Sequence, residues 1–416
     1  MRYDLKSAVV CIVGLGYVGL PLAKAFSKSL KVIGFDTDDK KIKQLSQYDS
    51  ATLTFTTDSK QIGKADFIII TVPTPVTKSK EPNLSYIIGA ARIISQNMKK
   101  GSTVILESTV YPGVTEDILK PALEEAGLKC GDDFRLAYSP ERLNPGDKKH
   151  TIDKIAKLVA GMDEETTEIV TELYRQVIPN IFKVKDIKTA EAAKVIENVQ
   201  RDLNIALMNE LALIFEKMGL STKDVLDAAG TKWNFHRYSP GLVGGHCIPV
   251  DPYYLVYKAK ALGYDPQVIL AGRAINDYMP KHVAGVAVKA LNNVGKVIKG
   301  SRVLIMGLTY KENVADIRET PAKDMIEGLR QYGVETLGYD PQLDNIEEEF
   351  KIEAVLDFEE APKVDCIIVA VAHDDFQKIT LDKLRSIMND KPILIDVNGL
   401  FSREEAVKRG FYYTSL

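Results

Sequence analysis

Residues 8–21 read AVVCIVGLGYVGLP, an apolar run that leads into a glycine-rich turn and then into a helical pattern continuing through Leu30. The apolar run predicts a buried β-strand, and the spacing of Gly14, Gly16 and Gly19 fits a turn that binds a dinucleotide pyrophosphate. Gly14 permits the tight turn, Gly16 lets the backbone approach the pyrophosphate, and Gly19 lets the helix pack closely on the sheet. Free N–H groups at the start of the helix favour the anion. The segment therefore predicts the opening of a Rossmann domain.

Asp36 ends a second predicted strand, residues 32–35, and lies 22 residues after Gly14. Its carboxylate would accept a hydrogen bond from a ribose 2′-OH and would repel a 2′-phosphate. The predicted cofactor is therefore NAD rather than NADP, with Tyr17 and Val18 of the turn in the same site. The alternative is a tight βα turn that binds no ligand.

Three later apolar strands also run into polar, proline-containing segments: residues 66–72, 103–106 and 134–138. Ligands of open parallel sheets bind beyond the carboxyl ends of the strands. The segments after these strands contain Thr74, Thr109, Glu141 and Arg142. We therefore expect them to form the walls of one cleft, although each could be an ordinary loop.

Residues 188–218 contain neither proline nor glycine, and Gly219 follows as a plausible helix end. The pattern predicts a connecting helix about 45 Å long. Between residues 203 and 218 apolar side chains occur on most faces, so we expect burial on more than one side and dimerisation. Lys194, Asn198 and Arg201 share one face at helical spacing. A solvated polar edge is the alternative for these three.

Residues 244–252 read GGHCIPVDP and place a glycine pair before Cys247 and a carboxylate, Asp251, four residues after it. A cysteine beside flexible glycines can present its sulfur to a cleft, and a nearby lysine would stabilise the thiolate. Cys247 is therefore the predicted nucleophile. His246 is interpreted as a packing residue rather than a base, and the single tryptophan, Trp233, as a core or interface residue.

A second α/β pattern starts at Ser301, with predicted strands at 303–307, 336–339, 365–371 and 392–397. It lacks the glycine-rich turn, so we expect no second dinucleotide there. The predicted fold is α/β, with two Rossmann-like, doubly wound parallel-sheet domains joined by a long central helix and a helical dimerisation domain. The predicted bounds are 1–187 for the NAD-binding domain, 188–299 for the helical domain with the cysteine, and 300–416 for the second sheet domain.

The bulk composition fits a multidomain globular protein, since 416 residues exceed what one hydrophobic core supports. A net charge of -3 gives no electrostatic reason to expect nucleic acid or acidic membranes as partners. We found neither an apolar run of membrane-spanning length nor a signal pattern. The four cysteines fit no disulfide framework and no zinc spacing. We therefore expect a cytoplasmic protein without a metal site.

Seven motifs in order resemble the UDP-glucose/GDP-mannose dehydrogenase family over essentially the whole chain. They are GLGYVGLP (14–21), TVPTP (71–75), ESTVYPG (107–113), SPERLNPG (139–146), KVIEN (194–198), GGHCIPVDP (244–252) and YKENVADIRETP (310–321). The chain is most similar to the branch acting on UDP-N-acetylhexosamines. The UDP-glucose branch tends to have Phe-x-Lys-Asp after the cysteine, where this chain has residues 248–251 (IPVD), and an aromatic residue at Arg142.

The resemblance implies oxidation of a sugar C6 hydroxyl to a carboxylate with two NAD reduced, in the synthesis of a surface polysaccharide. Cys247 would form a thiohemiacetal and then a thioester, while Lys194 and Asn198 stabilise the oxyanion. Asp251 would position or activate water, Glu141 would act as the base for hydrolysis, and Thr109 would orient the water. The implied cofactor residues are Gly14, Gly16, Tyr17, Val18, Gly19, Asp36, Thr74, Thr109 and Arg318. The implied substrate residues are Glu141, Arg142, Leu143, Lys194, Asn198, Arg201, Arg237, Gly244, Tyr310 and Lys311.

The second sheet domain would hold the UDP end of the substrate, with Tyr310 and Lys311 near it. For Asp251 and Glu141 the alternative is a helix cap or a surface ion pair, and for Arg318 an exposed salt bridge. UDP-glucose is the alternative substrate. A two-electron hydroxyacid dehydrogenase would need neither Cys247 nor residues 301–416, and a non-enzymatic NAD-binding protein would not need the catalytic set. A homodimer or higher homo-oligomer is expected.

Overall fold

The computed structural model describes Leu5, residues 7–142 and residues 154–416. The chain divides into two compact units. Unit 1 comprises Met1–Asn198 and Val250–Asp265, and unit 2 comprises Val199–Pro249 and Pro266–Leu416. The three-part division at residues 187 and 299 stays a prediction, because the two units are bounded at other residues.

The strands are β1 Val9–Val13, β2 Lys31–Phe35, β3 Leu53–Thr56, β4 Phe67–Ile70, β5 Thr103–Leu106, β6 Arg135–Tyr138, β7 Lys157–Gly161, β8 Ile181–Lys183, β9 Arg302–Met306, β10 Glu335–Tyr339, β11 Glu353–Ala354, β12 Val364–Val369, β13 Met388–Asp396 and β14 Tyr412–Ser415. The α-helices are α1 Gly19–Phe26, α2 Asp39–Leu45, α3 Ser85–Asn97, α4 Lys120–Glu124, α5 Glu164–Tyr174, α6 Ile187–Met218, α7 Thr222–Ala229, α8 Asp251–Ala261, α9 Gln267–Asn293, α10 Pro321–Arg330, α11 Ile346–Phe350, α12 Leu381–Ser386 and α13 Arg403–Lys408.

Unit 1 contains a sheet with strand order β3-β2-β1-β4-β5-β6-β7-β8. Its first six strands are parallel and follow the Rossmann order, while β7 pairs antiparallel with β6. Val10 and Ile12 of β1 pack in one hydrophobic cluster, whereas Cys11 and Val13 pack in another. Because alternate residues of a strand point to opposite faces, the sheet is covered on both sides. This explains the continuous apolar run in β1.

Unit 2 repeats the same design in its own sheet, whose order is β11-β10-β9-β12-β13-β14. Every pair of neighbouring strands in this sheet is parallel. Two hydrophobic clusters again cover its faces. The predicted fold class, two Rossmann-like parallel-sheet domains, is confirmed.

Most predicted elements are present with ends shifted by a few residues. The predicted helix at 188–218 is α6, Ile187–Met218, whereas the first helix ends at Phe26 rather than Leu30. The sequence analysis missed the short strands β3, β7, β8, β11 and β14. In the described part of the chain, no helix has the length and apolar character required to span a bilayer.

Glu191 on α6 fastens this helix to the segment that follows β5. Its buried carboxylate accepts hydrogen bonds from the backbone N–H groups of Gly113 and Thr115 and from the Thr115 hydroxyl. Burial raises the pKa of Glu191 to about 7, although these hydrogen bonds oppose the rise. The contact matters for the site because α6 carries Lys194 and the segment after β5 carries Thr109.

We expect Glu191→Ala to lower the free energy of unfolding by about 3 kcal/mol, because two buried N–H groups lose their acceptor at about 1–3 kcal/mol each. The shift of the denaturant midpoint measures this loss. Glu116→Ala is the control, since Glu116 is exposed and pairs with Lys188 at 3.5 Å, an interaction worth about 0–1 kcal/mol. Equal losses in the two variants would contradict a fastening role for Glu191.

Candidate active site

The glycine-rich turn between β1 and α1 has the geometry that a pyrophosphate requires. Gly14 adopts φ +96°, which favours glycine, and a Cβ on Gly19 would lie 1.9 Å from the Gly14 carbonyl oxygen. A Cβ on Gly16 would meet no atom within 4 Å, so its backbone is open to a ligand. Tyr17 beside it is exposed, and Val18 is the N-cap of α1. The residues present therefore fit the predicted dinucleotide.

Asp36 lies directly after β2, as a ribose-binding carboxylate should. Its Oδ2 accepts a hydrogen bond from the Leu15 backbone at 2.9 Å and pairs with Lys41 Nζ at 2.8 Å. Burial opposes ionisation, but these contacts hold the pKa of Asp36 below its usual value. The group is therefore an anion beside the glycine turn, suited to a ribose hydroxyl and unfavourable to a phosphate.

We expect Asp36→Asn to reduce the preference for NAD over NADP at least about tenfold, because a loss of roughly 1.4 kcal/mol of repulsion changes a ratio tenfold. Asparagine keeps an acceptor for the Leu15 N–H group. The ratio of kcat/KM with the two cofactors measures the effect. Asp39→Asn, an exposed change in the first turn of α2, should leave the ratio unaltered. An unaltered ratio in Asp36→Asn itself would contradict the assigned role.

Thr74 and Thr109 follow β4 and β5, which are neighbouring strands of the unit 1 sheet, with β4 beside β1. The Thr74 carbonyl accepts a hydrogen bond from the Tyr254 hydroxyl at 3.0 Å. Tyr254 lies on α8 three residues after Asp251, and sequence reasoning missed it. Thr109 is half-buried. The contact fixes the loop after β4 to the helix that carries Asp251.

Lys194 and Asn198 lie one turn apart on α6, and both contact Asp251 at the start of α8. Asn198 Nδ2 donates to Asp251 Oδ2 at 2.6 Å, and Lys194 Nζ lies 3.6 Å from the same oxygen. Asp251 is 3% exposed, so the surface ion pair considered from the sequence is wrong. Burial raises the pKa of Asp251, against the opposing effects of Lys194 and Asn198.

Arg201, which the sequence analysis grouped with Lys194 and Asn198 by spacing, is exposed and belongs to unit 2.

Glu141 and Arg142 follow β6 and are half-buried. The Glu141 Oε1 accepts a hydrogen bond from the Arg142 backbone N–H at 2.8 Å, and Oε2 lies 3.7 Å from Lys157 Nζ. The Arg142 guanidinium donates to the Ala156 carbonyl at 2.7 Å and pairs with Glu197 of α6 at 2.8 Å. The sequence did not indicate a role for Lys157, because it is a single cation at the start of an apolar strand. Leu143 lies outside the described residues.

Cys247 lies in unit 2, in a loop before α8, and is half-buried. The glycines preceding it are required for close packing rather than for flexibility. A Cβ on Gly244 would lie 2.6 Å from Pro321 Cδ, and one on Gly245, which has φ +85°, would lie 2.6 Å from the Tyr310 ring. The loop therefore packs against Tyr310 and against Pro321, the first residue of α10.

The same loop has a second attachment at Gly241. Asn209 of α6 donates to the Gly241 carbonyl at 3.0 Å and accepts from its N–H at 2.8 Å. Asn209 is buried and also donates to Asn276 of α9 at 2.8 Å. Asn276 in turn donates to Asp202, which pairs with Arg273. A buried polar network thus fixes the position of Gly241, at the start of the cysteine loop.

A cavity of about 280 Å³ in unit 2 adjoins the loop. Tyr310 and Lys311 line it, together with Gly241 and Leu242, and so do residues at the ends of β9 and β12. The predicted substrate residues Tyr310 and Lys311 therefore line the same cavity. Arg237 and Arg318 form ion pairs within unit 2.

The Arg237 guanidinium lies 3.4 Å from Asp227, and Arg318 binds Asp316 through two nitrogens. The exposed salt bridge considered for Arg318 is thus present, and its contact with cofactor stays a prediction. The predicted substrate role of Arg237 also stays a prediction.

Asp340 occupies in unit 2 the position that Asp36 has in unit 1, directly after the second strand. Its buried Oδ2 accepts hydrogen bonds from the Leu308 and Thr309 backbones at 2.7 and 3.0 Å, and lies 3.2 Å from His373 Nε2. Burial opposes ionisation, but the His373 and backbone contacts hold the pKa of Asp340 below its usual value. The hydrogen bonds of this carboxylate are therefore made to other groups of unit 2.

The other cysteines differ from Cys247 in burial or in surroundings. Cys11 and Cys366 are fully buried in strands, as expected, and burial raises the pKa of both thiols, to about 12 for Cys11. Cys130 in unit 1 is half-buried, and burial raises its pKa as well. Buried thiols with raised pKa values are poor nucleophiles. Cys11 and Cys366 are therefore poor candidates for the nucleophile, whereas Cys130 is half-buried like Cys247.

Models of the UDP-glucose/GDP-mannose dehydrogenase family match most of the chain: its NAD binding domain at residues 8–52 and 46–178, its central domain at 188–278 and its UDP binding domain at 304–403. Protein CapL of Staphylococcus aureus is 45% identical, covering 95% of this chain and 97% of its own. UDP-N-acetyl-D-glucosamine 6-dehydrogenase of Pseudomonas aeruginosa is 44% identical over 97% of this chain and 99% of its own.

Among solved structures, the UDP-D-ManNAc dehydrogenase of Pyrococcus horikoshii superposes with a TM-score of 0.87 at 30% identity, covering 98% of each chain. The matches confirm the predicted NAD cofactor, the enzyme class and the resemblance stated from the motifs. By its sequence and its fold, the chain belongs to the UDP-glucose/GDP-mannose dehydrogenase family.

Proposed function

We propose that the chain catalyses the four-electron oxidation of the C6 hydroxyl of a UDP-N-acetylhexosamine, UDP-GlcNAc, UDP-GalNAc or UDP-ManNAc, to the uronate. The observation that carries the proposal is the buried cluster of Lys194, Asn198 and Asp251, whose carboxylate lies four residues after Cys247 in the chain. The names of the relatives, which act on UDP-N-acetylglucosamine and UDP-D-ManNAc, support the substrate class. UDP-glucose is the alternative.

The glycine turn and Asp36 would hold NAD, which would supply the hydride acceptor for each of the two oxidations at C6. The first oxidation yields an aldehyde, whose electron-poor carbon is a poor hydride donor. The Cys247 thiolate adds to this carbon, a C–S bond forms, and the carbonyl oxygen becomes an oxyanion. The resulting thiohemiacetal is a good hydride donor, and its oxidation leaves a thioester on Cys247.

In the proposed mechanism, Lys194 and Asn198 supply the donors that stabilise the oxyanion. Donors of this kind contribute roughly 3–4 kcal/mol each to a transition state in a site that excludes water. The Asp251 carboxylate is their partner in the buried cluster, and it orders both groups when substrate is absent. Asp251 then positions the hydrolytic water.

Hydrolysis of the thioester releases the uronate. Water, oriented by Thr109, adds to the carbonyl carbon while Glu141 accepts its proton. The C–S bond then breaks, and the Cys247 sulfur leaves as a thiolate ready for the next cycle. Thiols are kept reduced in the cytosol, and we propose that the enzyme is cytoplasmic.

The cavity in unit 2 is our proposed position for the UDP end of the substrate. Lys311 supplies a cation for the diphosphate, and Tyr310 an aromatic surface. The match of the UDP binding domain to residues 304–403 supports this assignment.

We also propose a homodimer or higher homo-oligomer. Leu207, Ile214 and Met218 on α6 are exposed in the single chain, although the apolar pattern of this helix favours burial. Trp233 is 91% exposed, so its interpretation as a core residue is wrong and the interface alternative is the one we propose. Large exposed apolar side chains mark interaction sites.

The proposal is tested by NADH production with UDP-GlcNAc, UDP-GalNAc, UDP-ManNAc, UDP-glucose and GDP-mannose. We expect at least one UDP-N-acetylhexosamine to give the highest kcat/KM and two NADH per sugar. A preference for UDP-glucose would support the alternative. One NADH per sugar at completion, or no activity with any of the five sugars, would contradict the four-electron oxidation.

A further inference from the structure

Lys157 is a buried cation held between two carboxylates in unit 1. Its side chain, at the start of β7, is 3% exposed. Its Nζ lies 3.0 Å from Glu107 Oε2, 3.7 Å from Glu141 Oε2 and 4.9 Å from the centre of the Tyr174 ring. A buried ammonium group costs several kcal/mol unless it is paired, so such a residue requires an explanation.

Glu107 anchors Lys157 from the buried side. It directly follows β5, is fully buried, and accepts a hydrogen bond from the Tyr174 hydroxyl. Burial raises the pKa of Glu107, although Lys157 and Tyr174 oppose the rise. Of the two carboxylates, Glu141 is the one near solvent, with 18% of its side chain exposed. Lys157 therefore connects a buried carboxylate to one that water can reach.

The two oxygens of Glu141 are placed by different groups. Oε1 accepts a hydrogen bond from the Arg142 backbone, while Oε2 faces Lys157. The Arg142 guanidinium points instead to the Ala156 carbonyl and to Glu197. Glu141 is a like-charged neighbour of Glu107, and their repulsion is one of the causes that raise the pKa of Glu107. Lys157 supplies positive charge at Oε2 of Glu141 directly.

We propose that Lys157 is a positioning residue that holds the Glu141 carboxylate in the orientation required of the base for thioester hydrolysis. The inference rests on the proposed function, in which Glu141 takes a proton from water, a C–O bond forms and the C–S bond to Cys247 breaks. Lys157 makes and breaks no bond. Without it, both oxidations still occur, but the acyl group stays on Cys247.

The test uses Lys157→Met with the best substrate of the five sugars. We expect a burst of two NADH per active site, followed by steady-state turnover about 100-fold slower than wild type, the lower range for lost acid–base catalysis. Intact-protein mass spectrometry should then find the uronyl adduct, located on Cys247 by peptide mapping. Lys157→Arg, which keeps the cation, should restore most of the turnover. A purely structural loss would lower burst and steady state together.

Two further variants separate the possible causes. Glu107→Gln/Lys157→Met removes the buried anion together with its cation, so it should still accumulate the adduct. If it restores turnover, Lys157 merely neutralises Glu107 and the inference is overturned. Glu141→Gln is the reference. Adduct in Glu141→Gln but none in Lys157→Met overturns the inference alone, whereas no adduct in Glu141→Gln refutes the hydrolysis step of the proposed function.

Discussion

Cys247→Ser is expected to lower the yield from two NADH per sugar to at most one, and to slow steady-state turnover by about 10³-fold or more. A serine hydroxyl is not ionised near neutral pH, so it cannot add to the aldehyde as a thiolate does. Without the covalent adduct the aldehyde has no route to a good hydride donor. NADH formed per sugar at completion, together with trapping of the aldehyde by a hydrazine, measures the result.

Cys130→Ser is the matched control for this prediction. Cys130 is also half-buried, but it lies in unit 1 after α4. This variant should keep both the rate and the two-NADH yield. NAD affinity should be unaffected in Cys247→Ser, since Cys247 is not among the predicted cofactor residues. If Cys247→Ser still forms two NADH per sugar at the wild-type rate, the covalent route is wrong.

The second large effect is expected at Lys194. Lys194→Met should lower kcat by about 10²–10³-fold, the loss seen when one oxyanion donor is removed. It also deprives the buried Asp251 of its cation, so the pKa of Asp251 should rise further and the carboxylate should take up a proton. Single-turnover NADH kinetics separate the effect on oxidation from that on hydrolysis.

Lys188→Met is the control on the same helix, because Lys188 is exposed and pairs with Glu116 at the surface. It should leave kcat unchanged. Loss of a buried partner also destabilises a fold by about 3–5 kcal/mol. Lys194→Met/Asp251→Asn therefore provides a folded comparison with neutral groups at both positions. Wild-type kcat in Lys194→Met would remove Lys194 from the mechanism.

The fold was largely predictable because its signals are local. The turn at residues 14–19 and the buried apolar runs each depend on a few neighbouring residues, and they predicted the two parallel sheets. The missed strands are short or lie toward sheet edges. β11 has two residues and β8 has three, which is too few for a periodic pattern.

The site was predicted in part, because spacing on one helix is visible in a sequence while contacts between elements are not. Lys194 and Asn198 were grouped by helical spacing, and their contact with Asp251 required the folded chain. Lys157 and Asn209 were missed for the same reason. Each is an ordinary polar residue in its own element, and its importance comes from a partner at least 16 residues away in the chain.

The inward-facing Asp340 limits what protein engineering can do with the second sheet. Grafting the loop GLGYVG into residues 307–312 would copy the shape of the first turn without its chemistry. Asp340 is buried and its Oδ2 lies 3.2 Å from the His373 ring, whereas Asp36 is half-buried beside the open turn. A functional graft would also require replacement of His373. The two sheets are therefore not interchangeable, although they share a strand order.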